Sequence, residues 1–314
     1  MRDWRPRFLT ALLAGAVPAL PAALAVLLAA FAADVSAAAP ASMGAPKGHL
    51  VLIGGGEKPV VAMKKFVELA GGPSAPIVVV PTASEDPDVA SYYTKLFREE
   101  HGCTDVVVLP IKTREDAGRA DLTAAAARAK GVFFAGGDQV RITKALLDTQ
   151  VGLAIDAAFQ GGAAVGGTSA GTACQSALMI TGEGDFKAVR ASVVELTRGL
   201  GYFRGVVVDQ HFIARQRLNR LLSVVLEHPD LVGVGIDEDT AVWVKPDGTF
   251  EVLGDRSVVV LDPKGAVPTR KAVDKGSALL GVQGLKIHVL LPGDGYDPIR
   301  RGVIPGPATA PARP

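Results

Sequence analysis

Gly166-Gly167-Thr168-Ser169-Ala170-Gly171 is the stretch on which the reading of this chain turns. Ahead of it Ala163-Ala164-Val165 is a small apolar run suited to a buried strand, and residues 172–178 behind it have helical composition without a breaker. A strand, a sharp turn and a helix place one serine at the bend. The glycines two residues before and two after it let the backbone strain and the segments close up. The hydroxyl then stands at the carboxyl end of a strand, above a helix amino terminus that favours negative charge. Ser169 reads as a nucleophile, and the rest of the chain has to supply its base, acid and oxyanion donors.

Working outward, apolar runs at residues 49–53, 77–80, 106–109 and 131–135 read as buried strands. Helical segments at 62–70, 89–101, 122–129 and 140–149 separate or follow them. Strands joined by helices of this length imply right-handed parallel crossovers, hence an α/β fold with a doubly wound, mostly parallel sheet. The ligand site belongs at the carboxyl ends of its strands. Gly54-Gly55-Gly56 follows the first strand but lacks the G-x-G-x-x-G spacing of a dinucleotide site, so it reads as a close backbone approach. Gly136-Gly137-Asp138-Gln139 follows the fourth strand. Further strands at 206–208 and 232–236 lead into Asp209-Gln210-His211-Phe212 and Asp237-Glu238-Asp239-Thr240, with a helix carrying Arg215, Arg217 and Arg220 between them. Residues 241–291 alternate short β segments with Gly and Asp turns, which predicts a C-terminal antiparallel extension.

Residues 48–291 are therefore read as one domain, 39–47 as a linker and 292–314, rich in Pro, Gly and Arg, as a disordered tail. Arg2, Arg5 and Arg7 precede a long apolar stretch at residues 8–33, and small residues follow at 36–39. That reads as a secretory signal over 1–38, cleaved near Ala38, and as a secreted or periplasmic protein. A retained membrane anchor is the alternative. A formal net charge of +1 without a basic run excludes nucleic acid as the main partner. Two cysteines are too few for a disulfide framework or a cysteine-ligated zinc site. Export allows Cys103 and Cys174 to pair, although the place of Cys174 behind Ser169 suits a small core residue.

A serine at neutral pH needs a base, most often a histidine oriented by a carboxylate. Among the five histidines, His49 precedes the first strand, and His101 and His228 sit at helix ends where a cation suits the dipole. His288 lies inside an apolar strand, which leaves His211, directly after a strand, as the candidate base. Asp237, Glu238 and Asp239 also follow a strand directly, and alternation alone does not choose among them. Glu183 and Asp185 are competing acids. The order serine, histidine, acid differs from that of the α/β-hydrolases.

Taken together, the Gly136-Gly137-Asp138-Gln139 loop, the Ser169 elbow, Asp209-Gln210-His211-Phe212 with Arg215, Arg217 and Arg220, and Gly235-Ile236-Asp237-Glu238-Asp239-Thr240 resemble, in order and spacing, the cyanophycinases. These are serine peptidases related to aspartyl dipeptidase, with a fold similar to class I glutamine amidotransferases. The resemblance implies Ser169 as nucleophile, His211 as base and Glu238 as the orienting acid, with Asp185 a weaker choice. Backbone N–H groups of Gly137 and Ala170 would form the oxyanion hole, and Gln139, Asp209, Gln210, Arg215, Arg217 and Arg220 would line the substrate pocket. It implies hydrolysis of cyanophycin, a polyaspartate carrying arginine on its side chains, to Asp-Arg dipeptides through an acyl-enzyme, without metal or organic cofactor. A homodimer is common in such enzymes. Ile213-Ala214 and Thr172-Ala173-Cys174-Gln175 depart from the family pattern and leave the substrate open. The alternatives are a peptidase of the same family acting on other acidic peptides, and an exported, catalytically silent protein that binds an acidic ligand.

Overall fold

The computed structural model describes residues 46–273 and 277–307. The signal segment and all but the last two residues of the linker lie outside them. The amino-terminal half alternates strand and helix. It runs β1 (Leu50–Ile53), α1 (Val60–Leu69), β2 (Ile77–Val80), α2 (Val89–Lys95), β3 (Val106–Val108), α3 (Ala120–Arg128), β4 (Gly131–Phe134), α4 (Gln139–Leu146), α5 (Gln150–Gln160), β5 (Ala164–Thr168) and α6 (Ala170–Ala173). Strands β1, β5, β4, β2 and β3 lie side by side in that order, all parallel. β2 is Ile-Val-Val-Val and every residue is buried, as a parallel strand covered on both faces requires.

Alternation divides the two faces. Leu50, Leu52, Val78, Val80, Val132 and Phe134 point into one core and Val51, Ile53, Ile77, Val79 and Phe133 into the other. Helix α1 fills the second through Met63 and Phe66, with Tyr93 and Phe97 from α2 and the wider π turn that continues it. The first is covered by α3, α4 and α5 through Leu122, Ile142, Val151 and Ile155. Caps define two of these helices: the Asp138 carboxylate accepts from Val140 N, and the Thr149 hydroxyl from Gly152 N.

The carboxyl-terminal half contributes β6 (Leu178–Ile180), β7 (Leu196–Arg198), β8 (Val206–Gln210), α7 (Leu218–Glu227), β9 (Val232–Ile236), β10 (Thr240–Val244) and β11 (Phe250–Gly254). It ends with β12 (Val258–Asp262), β13 (Val267–Ala272), β14 (Ala278–Gln283), β15 (Lys286–Leu290), β16 (Gly295–Asp297) and β17 (Gly302–Ile304). Antiparallel β10, β11, β16 and β17 extend the parallel sheet beyond β1 to nine strands. A second sheet, in the order β15-β12-β9-β8, joins the first core through Val206, Val208, Val232 and Val234. This is the expected doubly wound α/β fold with an antiparallel extension.

Four local readings need correction. The helix after Ser169 stops at Ala173, and Leu178–Ile180 is a strand paired with β7. Helix α5 was hidden in the small-residue run ahead of β5, and Asp148, with φ 60°, breaks it from α4. Arg215 and Arg217 precede α7 rather than riding on it. The tail read as disordered from residue 292 is ordered through 307: Tyr296 is fully buried beside Phe250, and Arg301 donates to the buried Asp262 at 2.7 Å. Burying such aromatic surface offsets the ordering entropy that composition alone suggested would win. Cys103 and Cys174 are both buried and unpaired.

Candidate active site

Ser169 leaves β5 with φ 53° and ψ −113°, a left-handed conformation that costs a non-glycine residue about 1–3 kcal/mol. Its surroundings over-determine it. The Ser169 N–H donates to Ile53 O at 3.0 Å, and the Thr172 hydroxyl lies 2.7 Å from Ile53 O and 2.9 Å from Gly167 O. A Cβ on Gly167 would overlap Gly171 O, and one on Gly171 would overlap Phe134 O, so the two elbow glycines let β5, β4 and α6 close around the turn.

His211 comes from the other sheet, directly after β8, and is held by its own N–H on Gly54 O at 2.7 Å. Its Nε2 lies 2.8 Å from Ser169 Oγ and its Nδ1 2.7 Å from Glu238 Oε1. The carboxylate fixes the tautomer: Nδ1–H donates to Glu238, leaving Nε2 to accept the serine proton. Burial lowers the His211 pKa below its ordinary value; the Glu238 hydrogen bond opposes this and the Arg215 charge adds to it. The imidazole is thus neutral at neutral pH.

The three consecutive acids have separate tasks. Asp237 turns into the protein and accepts from Ile213 N and Ala214 N, shaping the turn that follows His211. Asp239 accepts from Glu57 N and pairs with Arg256, tying down the glycine loop. Glu238 alone reaches His211. Asp185 is bound to Arg190 at 2.7 Å, and Glu183 lies against Arg217 and Arg220, each at 3.4 Å.

The glycine loop after β1 is the close approach that its sequence suggested. Gly55 has φ 117°, and a Cβ there would overlap the His211 ring. Asp239 N donates to Gly55 O, so loop, base and acid segment form one unit. A cleft of about 270 Å³ opens over Ser169 and His211, between the Gly55-Gly56 loop, Gly136 and the α2 tyrosines. The N–H groups of Gly137 and Ala170 flank the elbow and donate to no acceptor among the described residues.

The residues expected to line a substrate pocket do not line this cleft. Arg220 grips Asp209 through both Nε (2.7 Å) and Nη2 (2.5 Å), and Asp209 is 1% exposed. Arg217 donates to Gln210 O and Gln210 Oε1 at 2.8 and 2.6 Å, and Gln139 donates to Ile180 O at 2.8 Å. Buried charges have to be paired, and these pair with each other. Arg215 alone of the three arginines is exposed. Sequence reasoning had passed over Thr172, Lys58 and Asp86. Lys58 and Asp86 were visible as charged residues in loops after strands, the place where such a sheet builds its site.

Several known proteins are similar to this chain over most of its length. The cyanophycinase of Synechococcus elongatus is 39% identical over 256 residues, spanning 80% of this chain and 79% of that protein. That of Trichormus variabilis is 37% identical over 266 residues, spanning 83% and 89%. The crystal structure of a peptidase from an acI-B1 Actinobacterium superposes with a TM-score of 0.56 at 26% identity, covering 70% of this chain and 93% of that one. The model of peptidase family S51 matches residues 50–252, from β1 into β11 and so through Ser169, His211 and Glu238: the chain belongs to peptidase family S51 and is a serine-type peptidase.

Proposed function

We propose that the protein is an exported cyanophycinase that releases Asp-Arg dipeptides from cyanophycin through an acyl-enzyme on Ser169. The observation that carries this reading is the continuous line from Ser169 Oγ through His211 to Glu238, on a strained elbow that has no structural need of a serine. The two relatives above bear the name cyanophycinase, which supports the substrate.

In this mechanism His211 Nε2 takes the Ser169 proton as Oγ attacks the scissile carbonyl. Glu238 stabilises the imidazolium that forms. The negative oxygen of the tetrahedral intermediate lies against the Gly137 and Ala170 N–H groups, a donor pair of which each member is worth on the order of 3 kcal/mol of barrier. His211 then returns the proton to the leaving amine, and the acyl group stays on Ser169 until water, activated by the same histidine, releases it. Export rests on the arginine-flanked apolar stretch at residues 8–33, with substrate met outside the cytoplasm.

Incubating the mature protein with cyanophycin and separating the products tests this. Wild type is expected to release Asp-Arg dipeptide and Ser169→Ala to release none. Equal release by both, or no release by wild type, overturns it.

A further inference from the structure

Two charged side chains of opposite sign, Lys58 and Asp86, line the Ser169 cleft beside the neutral His211. Lys58 extends from the glycine loop. Its Nζ lies 2.9 Å from the Tyr92 hydroxyl and 4.8 and 5.7 Å from the ring centres of Tyr92 and Tyr93. Cation–π contact and a neutral acceptor aim the ammonium without neutralising it, and it has no carboxylate partner among the described residues. Asp86 lies in the loop after β2. Its Oδ1 accepts from Asp88 N at 2.8 Å and its own N–H donates to the Ser84 hydroxyl at 3.1 Å, so the carboxylate is held in place while Oδ2 is free of any ion pair among the described residues. The neighbouring charges are already engaged: Glu85 pairs with Arg141.

A lysine held by aromatic rings and a carboxylate fixed in a turn, both beside a nucleophile, suit a ligand that bears a carboxylate and a guanidinium. The buried arginines do not supply this, because Arg217 and Arg220 lie outside the Ser169 cleft, held against Asp209, Gln210 and Glu183. There is room for a chain to continue: Ser84, Asp86 and Val89 also wall a second cavity of about 660 Å³, so Asp86 stands at the junction of the two.

From this geometry we infer that Lys58 and Asp86 are the specificity determinants of the cleft, Lys58 taking a carboxylate of the arginyl-aspartate unit and Asp86 the guanidinium of its arginine. The inference rests on the proposed cyanophycinase reading for the identity of the unit. An ammonium suits a single carboxylate oxygen, and a carboxylate suits the fork of a guanidinium. Hydrogen bonds to charged groups of this kind carry about tenfold or more in affinity each.

The test is calorimetric titration of β-aspartyl-arginine dipeptide into the protein, its Lys58→Met and Asp86→Asn variants, and Lys58→Arg. Both neutral variants are expected to bind about tenfold more weakly than wild type. Lys58→Arg should retain most of the affinity, and all variants should melt with wild type because both residues sit at the surface of the cleft. Replacing the arginine of the dipeptide by citrulline, its uncharged isostere, should weaken binding to wild type and leave the Asp86→Asn affinity unchanged. Unaltered affinity in either neutral variant, or no dipeptide binding by wild type, overturns the assignment. Polymer hydrolysis that persists with unaltered dipeptide affinity sinks the pair and keeps the substrate reading. Dipeptide binding that depends on Lys58 and Asp86 without any polymer hydrolysis does the reverse.

Discussion

Two polar clusters leave β8 two residues apart, and they are built on opposite principles. Asp209 points beneath the strand and finds Arg220, with Arg217 beside it on Gln210; the carboxylate and the two guanidinium groups are buried and held by one another and by the chain around them. His211 directly follows the same strand and holds one partner on each side, a weak acid in Ser169 and a carboxylate in Glu238, with the cleft open above. A closed ion pair has nothing left to offer a ligand, whereas the serine–histidine pair is poised to exchange a proton. Arg217 and Arg220 therefore build the platform and the histidine uses it.

The sharpest way to break this contrast is Glu238→Gln. The amide no longer stabilises an imidazolium or enforces the tautomer, so kcat on cyanophycin should fall about 10³–10⁴-fold while the melting temperature holds. The sealed cluster should respond the other way. Arg220→Met removes the two-point partner of the buried Asp209 carboxylate and leaves it only the longer Arg217 ion pair at 3.8 Å, a loss of about 3–5 kcal/mol of stability in urea unfolding, with kcat of the folded enzyme little changed. If kcat collapses and stability holds, the cluster belongs to the catalytic apparatus after all. A smaller effect is expected at the hinge between the two sheets: Gly55→Ala places a methyl group into the His211 ring, and a displacement near 1 Å costs roughly 10²-fold in rate.

Arg215→Ala gives the smallest and most specific change. His211 must be neutral to accept the serine proton, so kcat/KM falls as pH drops through its pKa, which lies below the ordinary histidine value. Burial is the main cause and the Arg215 charge adds to the lowering. Removing that charge raises the pKa and moves the acid limb of the pH–rate profile to higher pH, with the plateau unaltered. An unmoved limb means that Arg215 does not reach His211 electrostatically.

The parallel sheet was legible because its strands are continuous β-branched runs between helices, a pattern with one architectural solution. Ser169 was legible from its glycines, and His211 because the other histidines had structural explanations. The choice among Asp237, Glu238 and Asp239 was not, since backbone geometry at the end of β9 decides which carboxylate meets the ring; Asp239 has φ 54° and breaks the simple alternation. Nor did the sequence reveal that nucleophile and base stand on different sheets, joined by the Gly54 carbonyl. That Arg217 and Arg220 lie buried outside the cleft was hidden for a related reason. Spacing along a chain reports which face a residue occupies, and says nothing of whether a buried carboxylate such as Asp209 has already taken it.

The central claim is that Ser169 is a nucleophile activated by His211, and covalent capture tests it most directly. Wild-type protein treated with a fluorophosphonate should gain the mass of one adduct, mapped by peptide sequencing to Ser169, with the rate falling as pH drops through the His211 pKa and no adduct on Ser169→Ala. An adduct on another residue, or an unmodified Ser169 in protein that still hydrolyses peptide, would contradict it.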